Sequence, residues 1–142
     1  MVGSQLRDGY SFMTSLILGF HHIAVIVSDY QKSKRFYTQI LGAEIITETY
    51  RASRDSYKLD LRFPDGNQIE LFSFPQPPSR LTSPEACGLR HLAFKVKNIQ
   101  SAVNFLTENG IECEAIRTDE LTGKRFTFFR DPDNLPLELY EI

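Results

Sequence analysis

The sequence predicts an α+β fold made of two paired βαβββ modules. Three observations predict it. First, the chain repeats itself. With His22 placed over His91, HIAVIVSDYQKSKRFYTQILGAEI runs alongside HLAFKVKNIQSAVNFLTENGIEC, so Asp29 meets Asn98, Ser33 meets Ala102 and Phe36 meets Phe105. Second, the ends of the halves match: FPDGNQIELF (63–72) aligns with RDPDNLPLELY (130–140), setting Pro64 on Pro132, Asp65 on Asp133 and Glu70 on Glu138. Third, PQPPSRLTSPEACG lies between them with four of the seven prolines, and reads as a linker because proline fixes φ and donates no hydrogen bond. The expected organisation is a single domain over 20–142, with modules 20–74 and 88–142 and linker 75–87. Residues 1–19 form an N-terminal extension. Residues 1–12 lack apolar periodicity and read as an appended or flexible stretch, with Met13 a candidate start.

Each element follows in order. His22–Val27 alternates, with Ile23, Val25 and Val27 on one face and His22, Ala24 and Ile26 on the other. His91–Val96 repeats the pattern, and period-two alternation marks a half-buried strand. Asp29 and Asn98 are N-cap candidates for helices over 30–41 and 99–109, whose apolar residues fall at helical spacing. Gly42 and Gly110 stand where a left-handed residue would stop each helix. Strands are expected near 43–49, 56–63 and 67–73, then 112–117, 125–130 and 136–141, with PDGN and DPDN as turns.

Composition narrows the class. Against 18 Asp+Glu stand 16 Lys+Arg, a net charge of −2 with no electrostatic footprint for nucleic acid. The longest apolar run, Phe12–Phe20, is too short to cross a bilayer, so no membrane partner is expected. Eleven Phe and six Tyr supply a core and argue against disorder. Cys87 and Cys113 are far apart without a CxxC motif, and read as reduced thiols of a cytoplasmic protein.

The repeat sets four chemical residues in equivalent places. Glu70 lies opposite the apolar Ile69 and Leu71, and Glu138 lies opposite Leu137 and Leu139. His22 and His91 also occupy the faces turned away from the helices, each with its glutamate 48 or 47 residues downstream. If the two sheets curve toward each other, His22, Glu70, His91 and Glu138 converge on one cleft. Two imidazoles and two carboxylates suit one divalent first-row metal ion per site, with Zn or Ni first and Co, Mn or Fe within the same chemistry. Four protein ligands leave two octahedral positions for a small-molecule substrate with neighbouring oxygens. His21 pairs with Arg90 in the repeat and is expected to point to the opposite face, in a structural role. Lys58, Asp60 and Arg62, Lys124 and Arg125, and Tyr140 are candidate substrate contacts.

HIAVIVSD…RFYTQILG and RHLAFKV, with FPDGNQIEL and RDPDNLPLEL, resemble the vicinal oxygen chelate superfamily, and within it small bacterial glyoxalase-I-like proteins. The resemblance spans about residues 20–142 and matches all four ligand positions. It implies curved sheets around a metal-binding cleft, and a homodimer with sites at the subunit interface. It also implies a lyase or isomerase that moves a proton next to a carbonyl through an enediolate, with Glu138 or Glu70 as the shuttle and Glu138 taking the larger share. Ile26 and Phe74 stand where glyoxalase I has an arginine and an asparagine for glutathione. Isoleucine and phenylalanine offer no such donor, so a substrate other than the glutathione hemithioacetal is expected. Two alternatives stay open: a non-catalytic sequestering module, and a ring-cleaving dioxygenase, against which Glu70 counts.

Overall fold

A computed structural model describes residues 15–142. Met13 and residues 1–12 lie outside the described residues. The first module runs β1 (Ile23–Val27), α1 (Tyr30–Arg35, continued by a π-helical turn over Phe36–Ile40), β2 (Glu44–Arg51), β3 (Ser56–Arg62) and β4 (Gln68–Ser73). The second runs β5 (Leu92–Val96), α2 (Ile99–Glu108), β6 (Arg117–Thr118), β7 (Arg125–Arg130) and β8 (Pro136–Glu141). Two four-stranded mixed sheets result, in the orders β1-β4-β3-β2 and β5-β8-β7-β6. In each, the first strand lies parallel to the last, and the remaining pairs are antiparallel. The α+β architecture of paired modules expected from the repeat is present.

Local chemistry explains the boundaries. Asp29 accepts from the Lys32 amide at 3.1 Å and Asn98 from the Ser101 amide at 3.0 Å, capping the two helices. Gly42 and Gly110 end them at φ +82° and +80°. In α1 the last turn widens, with the Leu41 amide bonded to the Phe36 carbonyl, and it carries the adjacent buried residues Phe36 and Tyr37. The strand expected over 112–117 is reduced to Arg117–Thr118. The Thr127 hydroxyl donates to the Glu114 carbonyl at 2.7 Å, so a side chain takes an acceptor the ladder would otherwise use.

One face of each sheet holds the core. Val25, Val27, Leu59, Leu61, Ile69 and Leu71 are buried in the first module, and Phe129, Leu137 and Leu139 in the second, against Tyr37, Ile99 and Leu106 from the helices. Truncating any of the fully buried leucines would cost about 2–5 kcal/mol. The modules join on this side. The Tyr37 hydroxyl donates to Asp131 Oδ2 at 2.8 Å, the Ser28 amide to Asp133 Oδ2 at 3.0 Å, and Lys95 pairs with Asp65 at 3.2 Å. Phe63 and Phe94 pack with ring centroids 5.2 Å apart. Burial pushes the Tyr37 phenol well above its ordinary value and raises the Asp131 carboxyl, although Asp131 also accepts from the Leu135 and Asp133 amides.

Both cysteines are free, and no helix among the described residues is long and apolar enough to cross a membrane.

Candidate metal centre

The faces turned away from the core carry the candidate ligands. Glu70 sits in β4 between Ala24 of β1 and Asp60 of β3, and Glu138 sits in β8 between Ala93 of β5 and Phe128 of β7. A small residue on one side of each glutamate leaves room beside its carboxylate. Each histidine immediately precedes the first strand of its module and reaches its own glutamate. His22 Nε2 stands 3.5 Å from Glu70 Oε2, and His91 Nε2 stands 3.1 Å from Glu138 Oε1.

The four residues therefore form two pairs. Among the described residues no group of three or more His, Cys, Asp or Glu side chains is close enough to hold a metal ion. The chain brings His22 to Glu70 and His91 to Glu138, but does not bring the pairs to each other.

Each pair fits one edge of a coordination sphere. Two donors about 2.1 Å from one ion stand about 3.0 Å apart at a right angle and about 3.4 Å apart at the tetrahedral angle. The observed separations match that range, and the N/O donor set suits a divalent first-row ion. Neighbouring groups separate the halves. His21 Nδ1 lies 2.9 Å from His22 Nδ1, so His22 can carry its proton on Nδ1, donate it to His21 and keep Nε2 free. His21 thus stands beside His22 and not on the opposite face as expected. The chain bends before β1 begins at Ile23, and strand alternation does not reach these two residues. His91 differs, because Arg90 Nη1 lies 3.1 Å from its Nδ1. A guanidinium only donates, so His91 here carries its proton on Nε2, toward Glu138. Coordination through Nε2 requires Arg90 to leave Nδ1 and stay with Glu85, to which it is already paired.

The halves also differ around their carboxylates. Lys58 Nζ lies 3.1 Å from Asp60 and 3.9 Å from Glu70. Glu138 has the rings of the second module for neighbours: Phe128 meets His91 edge-on at 5.1 Å, and Phe126 stacks with Tyr140. Of the candidate substrate contacts, Lys58 and Asp60 are at the first pair and Tyr140 shares the Glu138 face. The Tyr140 hydroxyl donates to Asp119 at 2.8 Å. Arg62 is engaged by Glu44, and Arg125 by Glu141 on the other face of β8. Arg117, which lies over Phe126 and Phe128, and Arg130 escaped the sequence reasoning. The alternation in RFTFFR places Phe126, Phe128 and Arg130 on one face and could have signalled the last of these.

The paired modules and their sheet order are those of a glyoxalase-fold protein of the vicinal oxygen chelate type. The chain belongs to the Glyoxalase/Bleomycin resistance protein/Dioxygenase superfamily, whose family model matches residues 19–139. It is 64% identical over 126 residues to YwkD of Bacillus subtilis (strain 168), covering 89% of this chain and 98% of that protein. It is 59% identical to YaeR of Escherichia coli (strain K12), with 85% and 94% covered. The crystal structure of a glyoxalase family protein from Enterococcus faecalis superposes with a TM-score of 0.81 at 49% identity, covering 87% of this chain and 97% of that one. The superfamily also contains enzymes. A 2-epi-5-epi-valiolone epimerase of Actinomyces sp is 29% identical, with 86% and 78% covered. The fosfomycin resistance protein FosX of Listeria monocytogenes, solved with Mn(II) and sulfate, shares the fold at a TM-score of 0.70 and 22% identity, with 89% and 94% covered.

Proposed function

We propose that this protein is a metal-dependent lyase or isomerase of the glyoxalase type, acting on a small substrate with neighbouring oxygens. The observation that carries this is the pair of repeat-equivalent His–Glu contacts, His22–Glu70 at 3.5 Å and His91–Glu138 at 3.1 Å, each on an open sheet face. His22, Glu70, His91 and Glu138 would hold one divalent ion, Zn or Ni before Co, Mn or Fe. FosX, solved with Mn(II), and the 2-epi-5-epi-valiolone epimerase support metal use and epimerase chemistry on this fold. Because the pairs stand apart within one chain, each centre would combine His22 and Glu70 of one copy with His91 and Glu138 of a second, making a homodimer.

The bound ion would supply positive charge beside substrate oxygens as charge develops on them. The chain's own groups do the rest. Glu138 takes a proton from the carbon next to a carbonyl and returns it to the adjacent carbon. Among the described residues its one ionic contact is His91, whereas Glu70 is shared between His22 and Lys58. Phe128 sets an aromatic ring beside Glu138 and edge-on against His91. Ile26 is 56% exposed and Phe74 is covered by Arg51 and Arg54, so neither offers the glutathione donors of glyoxalase I.

The test is a metal-resolved screen against α-ketoaldehyde thiol adducts, epimerisable acyl thioesters and catechols. Turnover of one of the first two classes should fall about 10²–10⁴-fold in Glu138→Gln. Mixing inactive Glu70→Gln with inactive Glu138→Gln should restore activity, since one of the two centres in a mixed dimer regains all four ligands. Native protein with no bound divalent ion would overturn the proposal in favour of a sequestering module. Iron with oxygen uptake on catechols would replace it with a dioxygenase.

A further inference from the structure

A cavity of about 520 Å³ lies between the proline-rich segment and the open face of the second sheet. That volume is within the range of small-molecule sites. Its charge is unusual for a chain of net charge −2: Arg80, Arg90, Arg117 and Arg130 line it against only Glu85 and Glu114. The two glutamates are matched, Glu85 to Arg90 and Glu114 to Arg117 at 3.0 Å. Arg80 and Arg130 have no carboxylate partner among the described residues.

Neutral acceptors hold both of these arginines. Arg80 donates from Nε to the Thr82 hydroxyl at 3.1 Å, and from Nη2 to the Leu89 and Arg90 carbonyls. Arg130 donates from Nη1 to the Asn134 side-chain oxygen at 2.6 Å. Such contacts orient a guanidinium without cancelling its charge; they leave the Nε and Nη2 edge of Arg130 for a bidentate oxyanion and Nη1 of Arg80 for a single bond. The cavity borders the His91–Glu138 pair through two of its lining residues. Phe128 lines it and packs edge-on against His91, and Arg90 lines it while touching His91 Nδ1.

We infer that this cavity binds an oxyanion, the carboxylate or phosphate of the substrate whose reacting carbons lie at His91 and Glu138. The substrate class is thus an acidic small molecule, anchored by Arg80 and Arg130 on the far side of Phe128. The assignment to substrate rests on the proposed function, whereas binding of the anion does not.

The experiment titrates inorganic phosphate and, separately, malonate into the full chain by calorimetry, with and without added divalent metal. At least one should bind saturably at one per chain, which anion binds telling phosphate from carboxylate. Affinity should fall about tenfold in Arg130→Gln and in Arg80→Gln, the loss of a single charge-assisted bond, and stay unchanged in Arg54→Gln. Bound anion should also shield Arg80 and Arg130 of the unaltered chain from butanedione, read by mass spectrometry, which needs no variant to fold. Absence of binding by both anions, or equal binding by both arginine variants, would overturn the inference. Metal content measured on the same samples separates the two conclusions. Metal without anion binding refutes only the anion site, and anion binding without metal refutes only the metal centre.

Discussion

Replacing Tyr37 by Phe should loosen the junction between the modules in a pH-dependent way. Tyr37 is fully buried and Asp131 is 4% exposed, and the phenol is the one donor to Asp131 Oδ2, since Oδ1 takes the Asp133 and Leu135 amides. Removing it strands a buried carboxylate oxygen. Hydrogen bonds to charged groups contribute about 1.5–3 kcal/mol, and burial favours the upper half of that range. At neutral pH the variant should lose about 2–3 kcal/mol, or roughly 6–10 °C in Tm for a chain of this size. The sign with pH follows from Asp131, whose carboxyl is raised by burial. Its contribution to stability is fully present below the unfolded value and is lost as pH rises through the folded value. In Tyr37→Phe the missing donor raises that carboxyl further, so the loss widens as pH rises through the folded value. As pH falls through that raised value and Asp131 takes up its proton, the difference should shrink to about 1 kcal/mol. Urea denaturation at pH 7 and pH 4 measures both values. A difference under about 0.5 kcal/mol at pH 7, or one independent of pH, would refute the role given to the charged carboxylate.

Two further outcomes are expected. Gly42→Ala should destabilise the chain by about 1–2 kcal/mol from backbone conformation alone. Gly42 has φ +82° and an added Cβ would meet nothing within 4 Å, so thermal melts should show no steric addition to that cost. Arg90→Ala should strengthen divalent-metal binding a few-fold in competition with a chelator, because the guanidinium at His91 Nδ1 opposes the tautomer that frees Nε2. Weaker metal binding would show that Arg90 supports the centre.

Much of the fold could be read from local pattern. Alternation around Val25 and Phe94, the caps at Asp29 and Asn98, and the stops at Gly42 and Gly110 are short-range effects, and each is present. The faces of Glu70 and Glu138 followed from the same alternation. What local pattern could not carry was anything set by distant partners. The reduced β6 depends on a hydroxyl from Thr127, and the relation between the modules depends on Tyr37 meeting Asp131, 94 residues away. Separation of the four candidate residues into two pairs depends on how the modules sit and has no sequence period. Arg80 was read only as part of a linker, because its importance lies in the carboxylate partner it lacks.

In the proposed centre, the divergence of Asp60 from Phe128 has a consequence for substrate orientation. A centre built from two like halves offers a substrate two orientations related by a half-turn, and its ligands alone give no basis for choosing between them. Here the glutamate of one half is flanked by a carboxylate and an ammonium, and that of the other by an aromatic ring. The degeneracy is broken by residues outside the proposed ligand set. In the proposed centre, the orientation of a bound substrate would then be chosen by β3 and β7, through Asp60 and Lys58 beside one glutamate and Phe128 beside the other.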